Sequence, residues 1–206
     1  MPKNQSYSLA LRRTVLIALF GALAYVLMLL VHFPVAFLTL DIKDAMIALA
    51  GLYFGPMAAL ILSVLVPLLE LVTVSGTGLY GFVMNVLSTA TFAVTASTIY
   101  KYKKSFFGAI AGLVGGVALM VGAMMLFNLL VTPHYLGVAV AEVQALIPSL
   151  LLPFNLVKGI FNASIVLLLY KPLSSVMQRA GALPRSIIYH LILELLNRLL
   201  LQHQLS

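Results

Sequence analysis

The chain has 206 residues, 63% of them hydrophobic and only 8% charged, with a formal net charge of +7 and no cysteine. A soluble domain carries about 25% charged residues, so this composition excludes a water-soluble globule, and apolar stretches recurring along the chain exclude one anchor on a soluble domain. Without cysteine there are no disulfides, thiolate nucleophiles or cysteine-held metals, and the basic balance is that of loop Lys and Arg setting membrane topology, with no nucleic-acid partner implied.

Met1 to Arg13 is polar and basic, like the n-region of a signal peptide. The apolar run after it is too long for an h-region and no A-x-A-like site closes it, so the first membrane span is expected from Thr14 to Phe33. A loop follows from Pro34 to Leu40. A short second helix runs from Asp41 to Phe54 and stops at the breaker pair Gly55-Pro56. The third span covers Met57 to Val74, a turn Ser75-Gly76-Thr77-Gly78 follows, and the fourth covers Leu79 to Tyr100. The fifth covers Ser105 to Val131. A long loop from Thr132 to Pro148, holding a short helix from Val138 to Leu146, leads to the sixth span, Leu150 to Tyr170. Beyond it, Ile187 to Leu201 is apolar but short for a span. His190, Glu194 and Arg198 make one polar stripe there, which suits an amphipathic helix on the membrane surface. The sequence thus predicts an all-α membrane protein: one six-helix bundle over residues 1–180, with a short second helix, and a tail over 181–206.

The charge map orients it. Lys3, Arg12 and Arg13, then Lys101, Lys103 and Lys104, then Lys171, Arg179 and Arg185 all fall on one side of a six-span chain, which places both termini in the cytoplasm. The opposite loops hold Asp41, Lys43, Asp44 and Glu142. Small residues recur at helix-packing spacing, Ala18-x-x-x-Ala22 in the first span and Gly108, Gly112 and Gly116 in the fifth. The glycines are read as packing within the bundle; the alanines suit either packing or docking to a partner membrane protein.

Polar groups inside a membrane are costly and mark function by default. Glu70, Asn85, Asn128, Asn155 and Lys158 come from four spans, yet all map to the outer half, and Asn162 lies one turn deeper. Asn155, Lys158 and Asn162 share one helix face. The inner half carries only hydroxyls, mainly Thr91, Thr95, Ser97 and Thr98, which can bond to backbone carbonyls. The asymmetry describes a site open to the outside; a channel would be polar through its full depth. A structural Lys158–Glu70 ion pair with interhelical asparagines is the alternative, but it does not need three amides at one depth. Amides plus one ammonium suit a neutral or weakly anionic organic molecule. Tyr80, Tyr135, Phe127 and Phe154 lie near the same depth and could stack on a flat ring.

Enzymatic motifs fail. Gly76-x-Gly78-x-x-Gly81 matches G-x-G-x-x-G but lacks the βαβ setting, and reads as a tight outer loop. There is no P-loop, H-E-x-x-H or G-x-S-x-G. His32, His134, His190 and His203 show no ligand spacing. Neither a catalytic constellation nor a metal site is expected.

Four segments carry a resemblance: Lys43 to Pro56, Pro67 to Asn85, Asn128 to Gly137 and Pro153 to Pro172. With them, residues 10 to 180 resemble the riboflavin-binding S components of bacterial energy-coupling-factor (ECF) transporters. The resemblance implies a multi-pass protein of the cell membrane with an outward-facing vitamin pocket and no cofactor of its own. It also implies work with a membrane scaffold subunit and two ABC-type ATPases, docked through small residues of the first helix, here Ala18 and Ala22. By motif match, Asn128, Asn155 and Lys158 would hold the flavin ring. The Gly76 to Tyr80 loop (Gly76, Thr77, Gly78, Tyr80) and the first outer loop (Thr39, Leu40, Asp41) would close over the ligand. Glu70 would touch the ligand or brace the loop, and Asn85 joins from its depth. The alternative is the same architecture for a different vitamin.

Overall fold

A computed structural model describes residues 3–179, with side chains from 10 to 177; the expected tail helix lies outside them. The first helix, α1 (Lys3–Leu30), ends three residues earlier than the apolar run suggests. The expected loop after it is instead a β-hairpin of β1 (His32–Val35) and β2 (Leu38–Asp41), in register from His32 opposite Asp41 to Val35 opposite Leu38. Four-residue strands are too short to show alternation, and Pro34 argues against a strand except at an edge, which this two-stranded ribbon provides. Ala36 turns the hairpin at φ 54°.

The second helix, α2 (Lys43–Phe54), has 12 residues and is buried nearly all round. At 1.5 Å rise per residue it is about 18 Å long, well short of a ~30 Å hydrocarbon core. Its continuous apolar run needs no polar face because α1, α3 (Pro56–Thr73), α4 (Gly78–Tyr102) and α7 (Leu152–Arg179) surround it. Gly55 breaks it at φ 96°, a conformation that favours glycine, and Pro56 starts α3 at a position where its missing N–H costs nothing.

The fifth helix, α5 (Phe106–Leu136), begins at Ser105, whose hydroxyl accepts from Gly108 N at 3.1 Å. It runs five residues past the expected end. Pro133 sits inside its last turn, and Gly137, at φ 68°, closes it by donating to the Pro133 carbonyl at 2.9 Å. A short helix, α6 (Val140–Leu146), passes through a π-turn (Ile147–Leu151) into α7, which Pro172 does not stop. Among the described residues, five helical segments are long and apolar enough to cross a membrane: 10–30, 56–73, 78–102, 106–136 and 140–177. With α2 they make the six-helix bundle with a short second member.

Gly112 and Gly116 bring α5 against α4. A Cβ on them would lie 2.5 Å and 2.7 Å from the carbonyl oxygens of Ala96 and Phe92, so only hydrogen lets the backbones approach. At the end bearing Lys101 and Lys171, aromatic rings fill the bundle. The Tyr100 and Tyr170 hydroxyls lie 2.6 Å apart, and the Tyr53 hydroxyl donates to the Tyr170 carbonyl at 2.6 Å. Phe20 and Phe54 pack on Tyr53, and Phe106 on Tyr170.

Candidate ligand-binding site

At the opposite end, below the hairpin, a cavity of about 700 Å³, its open mouth included, lies between α3, α4, α5 and α7. That is the size of a small-molecule pocket. Of the residues singled out from the sequence, Thr39, Glu70, Thr77, Tyr80, Asn85, Asn128, Asn155 and Lys158 line it. Leu40, Asp41, Gly76 and Gly78 do not, although Gly78 shapes the turn into α4 at φ 56°. Tyr80, Tyr135 and Phe154 are wall residues, and the first two rings meet at 5.9 Å. Phe127 is not part of the wall; on α5 it is one position away from Asn128, which is.

The amides are set by their own helices. Asn128 donates to the Met124 carbonyl at 2.7 Å, and its Oδ1 accepts from Thr132 at 2.8 Å. Asn155 donates to the Leu151 carbonyl at 2.7 Å, and its Oδ1 has no hydrogen-bond donor among the described residues. Such bonds fix the amide plane before any ligand arrives.

The floor is ionic. Asp41, Lys43 and Asp44, expected as charges of an outer loop, are each about 1% exposed. They cluster where β2 meets α2. Lys43 Nζ lies 2.7 Å from Asp41 Oδ2 and 3.1 Å from Glu70 Oε2. Asn85 Nδ2 is 3.2 Å from both Glu70 oxygens. Lys158 Nζ sits farther from its carboxylates, 3.4 Å from Asp41 and 3.5 Å from Asp44. Asp44 Oδ1 accepts from the Thr89 hydroxyl at 2.6 Å. The direct Lys158–Glu70 pair is thus replaced by a network in which Lys43 serves Glu70. The cluster leaves three carboxylates against two ammonium groups. Burial pushes the Asp41 carboxyl up, but the Lys158 and Lys43 ammonium groups outweigh it and bring it down to about 2.

Asn162 shares its face with Asn155 and Lys158 but lies beneath the cavity. Its Oδ1 accepts from Ala45 N at 2.9 Å, and its Nδ2 donates to the carbonyls of Asp41 at 2.9 Å and Lys158 at 3.0 Å. It caps α2 from another helix through the Ala45 N–H, while Asp41 Oδ1 accepts from Lys43 N at 3.1 Å. Sequence reasoning missed Ser88. Its hydroxyl is buried, lines the cavity and has no hydrogen-bond partner among the described residues; one hydroxyl among several on α4 gives no sequence signal. On α1, Ala18 and Ala22 are exposed, on a face that includes Val15 and Leu19.

The arrangement can hold a flat, mostly apolar molecule with hydrogen-bonding edges, and offers no paired nucleophile and base. Comparisons with known proteins agree with a carrier. Residues 12–170 match the family model described as the ECF transporter, substrate-specific component. The riboflavin transporter RibU of Staphylococcus aureus (strain TCH60) is 33% identical over 178 residues, 82% of this chain and 93% of that protein. The riboflavin transporter FmnP of Bacillus subtilis (strain 168) is 26% identical over 163 residues, 72% of this chain and 85% of that protein. A solved S component of a bacterial ECF transporter superposes with a TM-score of 0.69 at 32% identity, covering 80% of this chain and 96% of that one. The chain belongs to the substrate-specific (S) components of ECF transporters.

Proposed function

We propose that this S component binds riboflavin and feeds it to an ECF transporter in a bacterial cell membrane. The observation that carries the reading is the cavity itself. Neutral amides, one ammonium and the Glu70 carboxylate that Lys43 pairs converge there among aromatic and methionine walls, which suits a flat, hydrogen-bonding ring. The riboflavin transporters among its relatives support the choice of vitamin. Asn128, Asn155 and Lys158 hold the polar edge of the ring, Tyr80, Tyr135 and Phe154 flank its faces, and Thr39 and Thr77 meet the chain at the mouth. Glu70, Asn85 and Asp41 steady the wall and floor. The formal excess of carboxylate in that floor disfavours an anionic ligand.

With Lys101, Lys103 and Lys104 at the far end, the positive-inside rule puts the cavity outside and both termini in the cytoplasm. The transport step belongs to a scaffold subunit and two ABC-type ATPases, since the sequence carries no P-loop. The outward-facing Ala18 and Ala22 on α1 support docking of that scaffold there.

The test is a flavin titration of the full chain in detergent. Purified protein should be yellow, or should quench riboflavin fluorescence with one site per chain. Lys158→Ala should weaken binding by about ten- to a hundredfold, the worth of a charged hydrogen bond. A colourless protein that leaves riboflavin fluorescence untouched overturns the reading, and unchanged affinity in Lys158→Ala removes that residue from the site.

A further inference from the structure

A second crevice opens at the opposite end of the bundle from the vitamin cavity. It lies between the start of α1, the end of α2, the start of α3 and the end of α4, and encloses about 1400 Å³, mouth included. Its chemistry is divided. On one side stand Arg13, Lys101 and Lys104. Arg13 spends one Nη donor on the Phe54 carbonyl at the open end of α2. Lys101 and Lys104 have no carboxylate within ion-pair distance among the described residues, and no acidic residue lines the crevice. On the other side are Met57 and Leu60, 66% and 42% exposed on the outer surface of α3, above Leu52 and Val94. Tyr53 and Ser97 complete the lining, their hydroxyls already bonded to the Tyr170 and Ala93 carbonyls.

Arg13, Lys101 and Lys104 gather exposed positive charge along one crevice that no carboxylate lines. An apolar rim on a membrane-crossing helix says that an anion seated there has a hydrocarbon part. Basic pockets between spanning helices take phospholipid headgroups for this reason. We propose that this crevice binds an anionic membrane phospholipid, its phosphate between Arg13, Lys101 and Lys104 and its acyl chains along Met57 and Leu60. The site is separate from the vitamin cavity and does not depend on which vitamin that cavity takes.

The probe is a vesicle with equal amounts of phosphatidylglycerol and phosphatidylcholine, from which the full chain is released for native mass spectrometry. The parent should retain phosphatidylglycerol over phosphatidylcholine. The double variant Lys101→Gln/Lys104→Gln should lose about tenfold of that retention. Lys103→Gln, in the same basic run but outside the crevice, should keep it, and thermal midpoints matching the parent's would show that both variants fold. Excess glycerol phosphate should fail to displace the lipid; displacement would mean a site for free phosphate and overturn the lipid assignment. Equal retention of the two lipids by the parent, or an equal loss in Lys103→Gln, overturns the proposal by reducing the crevice to generic surface charge.

Discussion

The two ends of this bundle solve the problem of burying polar groups in opposite ways. At the lysine end, hydroxyls bond within their own helix: Thr91 to the Leu87 carbonyl at 2.6 Å, Ser97 to the Ala93 carbonyl at 2.7 Å. Tyrosines close the gap between helices with two short bonds and much ring surface. At the hairpin end, side chains from β2, α2, α3, α4 and α7 depend on one another through charges and amides. The first end is largely self-sufficient around its tyrosines, although the buried Ser174 hydroxyl has no hydrogen-bond partner among the described residues and a crevice opens beside it. The second is a cooperative network in which some groups, such as Ser88 and the Asn155 oxygen, are left for something else.

The largest test of this contrast is Asp41→Ala. It removes the carboxylate shared by Lys43 and Lys158 and should cost about 3–5 kcal/mol of stability, read as a lower thermal midpoint in detergent, with flavin affinity falling too. An unchanged midpoint would mean that the ends do not differ as described. Next comes Asn155→Ala, which should lower flavin affinity by roughly ten- to thirtyfold with little change in stability, about 1.5–2 kcal/mol in binding; calorimetric titration separates the two readouts. Tyr170→Phe, at the tyrosine end, should do the reverse: about 0.5–1.5 kcal/mol of stability lost and flavin affinity unaltered. Smallest of all is Thr91→Val. Its bond competes only with the helix backbone, so stability should move by no more than about 0.5 kcal/mol, and a larger loss would show a partner across helices.

Much of this was readable from the chain. The spans stand out because long apolar runs have few other uses, and the polar residues at one depth pointed to the cavity. What stayed hidden depended on tertiary partners. The hairpin has four-residue strands and a proline, so neither period nor propensity announces it. Asp41, Lys43 and Asp44 sit beside a loop and look solvated; only pairing with Glu70 and Lys158, distant in sequence, makes their burial affordable. One signal was available. Two charges, Lys43 and Asp44, open a helix that is otherwise apolar, with Asp41 just before it, and the short length of that helix leaves little room for them in water. Asn162 was recognised as polar and on the right face, but its role as a cap for α2 needs the crossing of two helices that no local pattern encodes. The late end of α5 runs through Pro133, a residue that ordinarily kinks or ends a helix, so the local pattern pointed to an earlier stop.

That crossing cap bears on how the molecule is born. The N-terminal end of α2 draws its missing hydrogen-bond partner from Asn162, 117 positions later in the chain, and Lys158 arrives with it. During synthesis the early helices leave the ribosome long before the last one. Until then, the innermost segment has an unmet amide and the Asp41–Asp44 corner lacks one of its two cations. The nascent protein should therefore remain loose around its centre and recruit its binding capacity late, when the final span slides in and locks the interior.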